Sequence, residues 1–296
     1  MRPRSYRRAS YARLAALVIV TGATLAACVS IPDPRLQQSG PAFSADALPA
    51  TGFRVTSWNV HKAEGPAWQG EPATHRIASQ LAAADLLLLQ EACAPEPSTP
   101  LGQTLPGAGL TGVFAASFAA PILGCPEGHA TGVLTASRAA PRQRQILASD
   151  HREFGLTPKA SLATTYALSG SERQLLVINA HLLNFEWLTL DDYGDQLADI
   201  ARVIAAHDGP VILAGDMNSR SAARTEKLEA VTRQAGLRPV FDQPDDARTR
   251  AVIGGDKPLD HIYYRGVQLA APGTIGGEAD MQLSDHNSLS ATFVLP

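Results

Sequence analysis

Short apolar runs that end in polar residues dominate this chain. Residues 54–60 are rich in β-formers and close on Asn59. Leu86-Leu87-Leu88-Leu89 is a fully apolar strand that delivers Gln90 and Glu91 at its end. Residues 112–118, 131–137 and 143–149 read as further short strands. Residues 161–168 and 174–180 flank Ser169-Gly170-Ser171, a hairpin signal, and the second of them ends at His181. Helical spacing is clearest over 190–206, where Leu190, Tyr193, Leu197, Ile200 and Val203 step by three or four and Gly209-Pro210 supplies a stop. Shorter helices are expected over 74–84 and 221–235. A buried strand over 211–214 runs into Gly215-Asp216-Met217-Asn218, and strands over 259–264, 267–271 and 288–294 complete the chain. With no internal repeat and no second linker, residues 53–296 read as one domain of strands with interspersed helices.

The N-terminus reads as an address. Five arginines within the first 13 residues precede an apolar run over 14–27 that is too short and Ala-rich for a permanent span. The run ends in Leu25-Ala26-Ala27-Cys28, which resembles the lipobox of bacterial lipoproteins. That resemblance implies a signal peptide over 1–27, cleavage before Cys28 and lipidation of Cys28; the alternative is an ordinary signal peptide with a chance cysteine. Val29 in place of Asp points to the outer membrane, periplasmic face. Residues 28–52 lack apolar periodicity and are expected to form a flexible tether, spanning roughly 25–30 Å as a coil. Cys93 and Cys125 remain, either as a disulfide in an oxidising compartment or as two buried thiols.

With 45% hydrophobic and 18% charged residues, the composition excludes a disordered tail or a collagen-like fibre. Setting aside residues 1–27, the rest of the chain carries 20 basic against 28 acidic groups, a net of −8. A sequence-blind nucleic-acid binder needs surplus cations to displace counterions from phosphates, so this balance leans against one.

The polar residues of interest recur at strand ends: Asn59, Glu91, His181, Asp216, Asn218, Asp260, Asp285 and His286. A buried strand fixes its terminal side chain, and several converging ends make a preorganised site. Carboxylates, amides and imidazoles without cysteine suit a hard cation, Mg²⁺ or Mn²⁺. Such a cation neutralises phosphate oxygens, and an imidazole held by a carboxylate can donate to one. These are the needs of phosphoryl transfer.

Taken in order, Trp58-Asn59, Gln90-Glu91, Asn179-x-His181, Gly215-Asp216-x-Asn218, Leu259-Asp260 and Ser284-Asp285-His286 resemble the motifs of the endonuclease/exonuclease/phosphatase superfamily across about residues 53–296. The resemblance implies an α/β, deoxyribonuclease I-like fold: a four-layer sandwich of two packed, mixed, mainly antiparallel sheets flanked by helices. It implies that Glu91 holds Mg²⁺ or Mn²⁺ with Asn59, and that Asp285 either assists the metal or supports His286. Asp216 would orient or deprotonate the attacking water, Asn218 would bind a phosphate oxygen, and His181 and His286 would contact the scissile phosphate. Asp260 would orient one of the two imidazoles. His61, Lys62 and Asn184 lie beside these motifs and are candidate substrate contacts or scaffold.

The expected activity is metal-dependent, in-line hydrolysis of a phosphodiester, nuclease-like, by a monomer held to the membrane through Cys28. The alternatives are a phospholipid- or sugar-phosphate-directed phosphoesterase, or a non-catalytic binding module on the same fold. An aromatic content of 6%, without an obvious aromatic-rich hydrophobic hairpin, weighs against a sphingomyelinase.

Overall fold

A computed structural model describes residues 29–33, 35–63, 66–120, 123–185, 190–242 and 257–296; the expected signal peptide and Cys28 lie outside the described residues. The chain first lays down β1 (Leu36–Ser39), β2 (Phe53–Asn59), β3 (Leu86–Cys93), β4 (Thr111–Ala119) and β5 (Ala130–Ser137), with helices α1 (Glu71–Leu81) and α2 (Pro100–Gly107) between them. It then crosses to a second sheet: β6 (Gln143–Glu153), β7 (Thr157–Leu168), β8 (Ser171–His181), β9 (Val211–Asp216), β10 (Arg238–Pro239) and β11 (Asp260–Arg265). Helix α3 (Asp191–Ala205) joins β8 to β9, and α4 (Ala222–Gln234) follows β9. The chain returns to the first sheet through β12 (Gln268–Leu269), β13 (Thr274–Ile275), the short helix α5 (Glu278–Met281) and β14 (Leu289–Val294).

The first sheet runs β1-β4-β5-β3-β2-β14-β12 with β13 also on β14, and the second runs β10-β11-β9-β8-β7-β6. Each contains one parallel pair, β2 with β3 and β8 with β9; the other pairings are antiparallel. A parallel pair needs a crossover, which α1 and α3 supply.

Side-chain alternation explains the layers. Leu86 and Leu88 point between the sheets, where they pack with Phe53, Val177, Ile212 and Phe293. Leu87 and Leu89 point outward against Ile77, Leu81, Leu101 and Leu105 of α1 and α2. On the second sheet, Ile178 and Leu213 meet Tyr193, Leu197 and Ile200 of α3 in the same way. Strands covered on both faces read as unbroken apolar runs, which accounts for the four leucines. The result is the expected four-layer sandwich of two mixed, mainly antiparallel sheets with helices outside.

Several expectations are corrected. The segment 28–52 is not a free tether over its length. β1 pairs antiparallel with β4, Ser30 bridges Ala119, Ala45 bridges Ala139 and Leu48 bridges Leu168. Leu48 is buried in the inter-sheet core. The open edge of β4 offers unpaired backbone groups, and a single buried leucine anchors the strap without any periodic pattern. The strand expected over 267–271 shrinks to Gln268–Leu269. Helix α2 is an addition to the expected elements: Thr99 caps it by accepting from the Gly102 amide at 3.3 Å, and Pro100 opens it. Of the two states open to Cys93 and Cys125, the disulfide is the one formed, across 32 positions, tying the loop after β4 to the end of β3.

Candidate active site

The sheet topology brings the polar strand ends to one edge. In the second sheet, β8 and β9 run parallel and β11 runs against β9, so the end of β8, the end of β9 and the start of β11 lie side by side. His181 is the register partner of Asp216, and Asp216 is that of Asp260. In the first sheet Asn59 at the end of β2 lies opposite Gln90 of β3. β14 runs against β2, so the segment Ser284-Asp285-His286 before it arrives at the same end. The crevice beyond the carboxyl ends of the parallel strands is where such sheets can gather functional groups.

Contacts across the two sheets join the set. Asn59 Nδ2 donates to Asp216 Oδ2 at 2.9 Å. The Asn218 backbone amide donates to Asp216 Oδ1 at 3.0 Å, so both oxygens of Asp216 are held. His181 Nε2 lies 3.8 Å from Asp216 Oδ2 and 3.9 Å from Glu91 Oε1. Asp260 Oδ2 meets His286 Nδ1 at 2.8 Å, so His286 is the imidazole that Asp260 orients. The Trp58 indole donates to the His286 carbonyl at 2.9 Å and Ser284 Oγ donates to the Asn59 carbonyl at 2.6 Å, fixing the last loop against β2. Asn218 commits one N–H of its side chain to the Leu182 carbonyl at 2.8 Å, which leaves a second for a ligand.

Backbone strain concentrates here. The non-glycine residues with left-handed φ among the described residues are His61, Lys62, Ala63, Glu91, Asn218 and Phe154. Five belong to the candidate site segments, and Phe154 lines the adjoining cavity. Such conformations cost energy and persist where packing over-determines them. Glu91 owes its conformation to a bulge, since the register of β3 against β5 shifts between Leu89 and Ala92. Gly215 is required for a related reason: at φ 144°, a Cβ there would fall 1.9 Å from the Ala180 carbonyl oxygen.

Electrostatics separates the two imidazoles. Burial disfavours a charge on His181, Lys159 adds to this, and Asp216 and Glu91 only partly oppose it, so its pKa falls to about 4. Burial also disfavours the charged form of His286, but the Asp260 carboxylate and its hydrogen bond, then Asp216 and Asp285, raise it to about 10. Near neutrality His181 is therefore a neutral ring and His286 an imidazolium. Burial and then Asp260 raise the pKa of Asp216. Burial would raise Glu91 too, but Lys159, His181, Lys62 and His61 outweigh it and hold the carboxyl at about 2.

The His286 shift has a stability consequence. A base whose pKa is raised on folding stabilises the fold fully below its unfolded value of 6.5, and that contribution is lost as pH rises through about 10. The stability gap between the wild type and His286→Asn is expected to be larger at pH 6 than at pH 10, by on the order of a few kcal/mol. Urea midpoints at the two pH values measure it, and equal gaps would remove the ion pair.

Asp216, Asp260 and His286 place ligand atoms within 4.8 Å of one another and could hold a metal ion. His286 Nδ1 and Asp260, however, already satisfy each other, and an imidazolium opposes a dication. Glu91 suits a hard cation better. It is ionised, and its ion-pair contacts at 3.7 Å to Lys62 and 3.9 Å to His181 are longer than hydrogen bonds. Asn59 Oδ1 accepts one hydrogen bond, from the His61 amide at 3.0 Å, and an amide oxygen has a second lone pair to offer. Asp285 is half exposed and faces His61 Nδ1 at 3.4 Å, not His286.

Of the outlying candidates, Lys62 lines the Glu91 cavity, while His61 pairs with Asp285. Asn184 is tied into the scaffold, its amide donating to Glu153 Oε1 at 2.6 Å and its side-chain oxygen accepting from Arg220. Gln90 and Asn179 prove structural: Gln90 Nε2 donates to Asn179 Oδ1 at 2.7 Å, stapling the sheets beneath the site. The sequence reading missed Lys159 and Glu153, both in the cavity wall and 3.5 Å apart. No local signal marks them: Lys159 stands between Pro158 and Ala160, neither of them a strand former.

Residues 56–286 match the endonuclease/exonuclease/phosphatase family. A UPF0294 protein of Vibrio vulnificus is 33% identical over 246 residues, covering 81% of this chain and 76% of its own. Among solved structures, an endonuclease/exonuclease/phosphatase from Beutenbergia cavernae superposes with a TM-score of 0.62 at 20% identity, covering 83% of this chain and 72% of its own. The human Nocturnin catalytic domain, solved with a bound sulfate anion, gives 0.58 at 18% identity over 90% of this chain and 99% of its own. At these identities the structures speak to the fold alone.

Proposed function

The chain belongs to the endonuclease/exonuclease/phosphatase family, and from that premise we propose that it is a Mg²⁺- or Mn²⁺-dependent phosphodiesterase that uses water as nucleophile. The observation that carries this reading is the convergence of an ionised Glu91, a doubly anchored Asp216, a neutral His181 and a charged His286–Asp260 pair on one crevice. When bound, the cation would neutralise a phosphate oxygen and sharpen the attacking water.

The chain's own groups divide the remaining work. Glu91 would hold the cation, with Asn59 Oδ1 and Asp285 as the further oxygen donors. Asp216, fixed on both oxygens, orients the water and takes its proton. Asn218 donates its second N–H to a phosphate oxygen. His286, kept charged by Asp260, faces the charge that grows on the phosphorus centre, and neutral His181 donates to a phosphate oxygen beside Glu91. Lys62 lies where it can contact substrate. We also propose export, lipidation at Cys28 and anchoring in the envelope as a monomer.

The test is turnover of bis(p-nitrophenyl) phosphate by the full chain, with Mg²⁺ or Mn²⁺ and with chelator. Release of nitrophenolate that chelator stops is expected. Absence of metal-dependent turnover on any phosphoester would favour a binding module on this fold.

A further inference from the structure

Four large apolar side chains are exposed among the described residues: Ile31, Leu123, Phe154 and Phe185. They are not scattered. Leu123, Phe154 and Phe185 line the same cavity, of about 220 Å³, as Glu91, Lys62 and His181. Ile31 follows Ser30, whose backbone bonds Ala119 at 2.9 and 2.7 Å, and the neighbouring Phe118 lines that cavity too. The Phe154 and Phe185 rings lie 5.2 Å apart, and the Arg220 guanidinium sits 4.7 Å over Phe185. Phe154 occupies the β6–β7 turn at φ 53°, a conformation unfavourable for a bulky residue, and remains half exposed. The disulfide of Cys125 fixes the loop that carries Leu123 to the strand that carries Glu91. Apolar side chains gathered at the mouth of a polar site mark a docking surface.

We propose that this rim docks on a lipid bilayer and that the phosphoester cleaved belongs to a lipid headgroup; this rests on the phosphoesterase reading above. The path of the chain selects the occupant. The proposed lipidation site, Cys28, stands two residues before Ser30 in the sequence. At 3.3–3.6 Å per residue, two residues of chain reach no further than about 7 Å. Because Ser30, β1, Ala45 and Leu48 are paired to the body, acyl chains on Cys28 would hold this rim against the membrane that takes them. Charge agrees. Lys62 lines the cavity and Arg220 stands over the Phe185 ring of its rim, two local cations for a headgroup phosphate.

The experiment places a reporter in the rim. Full-length protein carrying Phe154→Trp is reconstituted into vesicles of phosphatidylcholine with one part in about four of phosphatidylglycerol, with or without bromine on the acyl chains. The emission added by this substitution, relative to the parent protein, is expected to fall about twofold with bromolipid, as it would for an indole at the acyl boundary. In parallel, the rate on vesicle phospholipid divided by the rate on soluble bis(p-nitrophenyl) phosphate is expected to fall about tenfold or more in a Phe154→Ser, Phe185→Ser double variant. No quenching overturns the docking, as does an emission shift that follows protein concentration instead of lipid, which would reveal a second copy on the rim. Turnover of the soluble diester without any lipid cleavage overturns the substrate assignment and leaves the phosphoesterase reading standing. Metal-dependent turnover of neither overturns that reading and the substrate assignment with it, while quenching still decides the docking.

Discussion

Glu91→Ala is expected to lower metal-dependent turnover by about a thousandfold or more and to weaken Mn²⁺ binding by about tenfold or more, with the fold intact. The reason lies in the local charge balance. Lys159, His181, Lys62 and His61 all act on the Glu91 carboxyl and keep it ionised to about pH 2. With that carboxyl gone, the lysines at this end of the cavity face a dication with one negative charge fewer between them. The fold should survive because Glu91 is only partly buried and its bulge conformation is set by the pairing of β3 with β5. Alanine meets the same left-handed backbone as any other residue with a Cβ, so strain changes little. Circular dichroism checks the fold, calorimetric titration with Mn²⁺ checks binding, and bis(p-nitrophenyl) phosphate hydrolysis checks turnover. Full activity in this variant would remove Glu91 from the metal.

Much of the fold was legible because its core strands are covered on both faces. Leu86–Leu89 and 211–214 could announce themselves without knowledge of their partners, and the 3.6-residue pattern of 190–206 marked α3 to within a residue. What escaped depends on tertiary contact. β1 is an edge strand whose hydrogen bonds go to β4; the segment around it is anchored by partly buried Leu36 and Phe43 and by buried Leu48, apolar positions with no period among them. Helix α2 is built from Pro100, Gly102, Pro106 and Gly107, a composition that reads as loop, and it exists because Leu101 and Leu105 find a place under α1.

The site divides along the same line. Asn59, Glu91, His181, Asp216 and Asp260 could be picked out because they terminate or interrupt apolar runs, and backbone topology then brought them together. The choice between His181 and His286 as partner of Asp260 could not be read, since it depends on the register of β11 against β9 and on the path of the last loop. Gln90 and Asn179 look no different in sequence from their functional neighbours; alternation along β3 and β8 turns them between the sheets, where they bond each other. Lys159 and Glu153 carry no motif. Their importance comes from the β6–β7 turn folding back over the cavity, a long-range consequence that local pattern does not encode.

Asp216→Asn should lower kcat by about a thousandfold, with KM and Mn²⁺ affinity close to wild type. It therefore separates the water-activating role from the metal-holding role of Glu91. The substitution keeps shape but removes the proton acceptor. It also disturbs the anchoring: the two oxygens of Asp216 accept from Asn59 Nδ2 and from the Asn218 amide, and an amide can offer an oxygen to only one of these donors. One buried donor is left facing an NH₂ group, a cost of about 1–3 kcal/mol. Relief works the other way, because burial and the Asp260 charge already raise the pKa of Asp216, so the lost carboxylate was an unfavourable one to bury. Net stability is therefore expected to change little while turnover collapses. Steady-state kinetics at saturating Mn²⁺ together with urea unfolding distinguish this from a folding defect. A variant as fast as wild type would take Asp216 out of water activation, and a kcat loss that tracks lost metal affinity would reassign it to the cation.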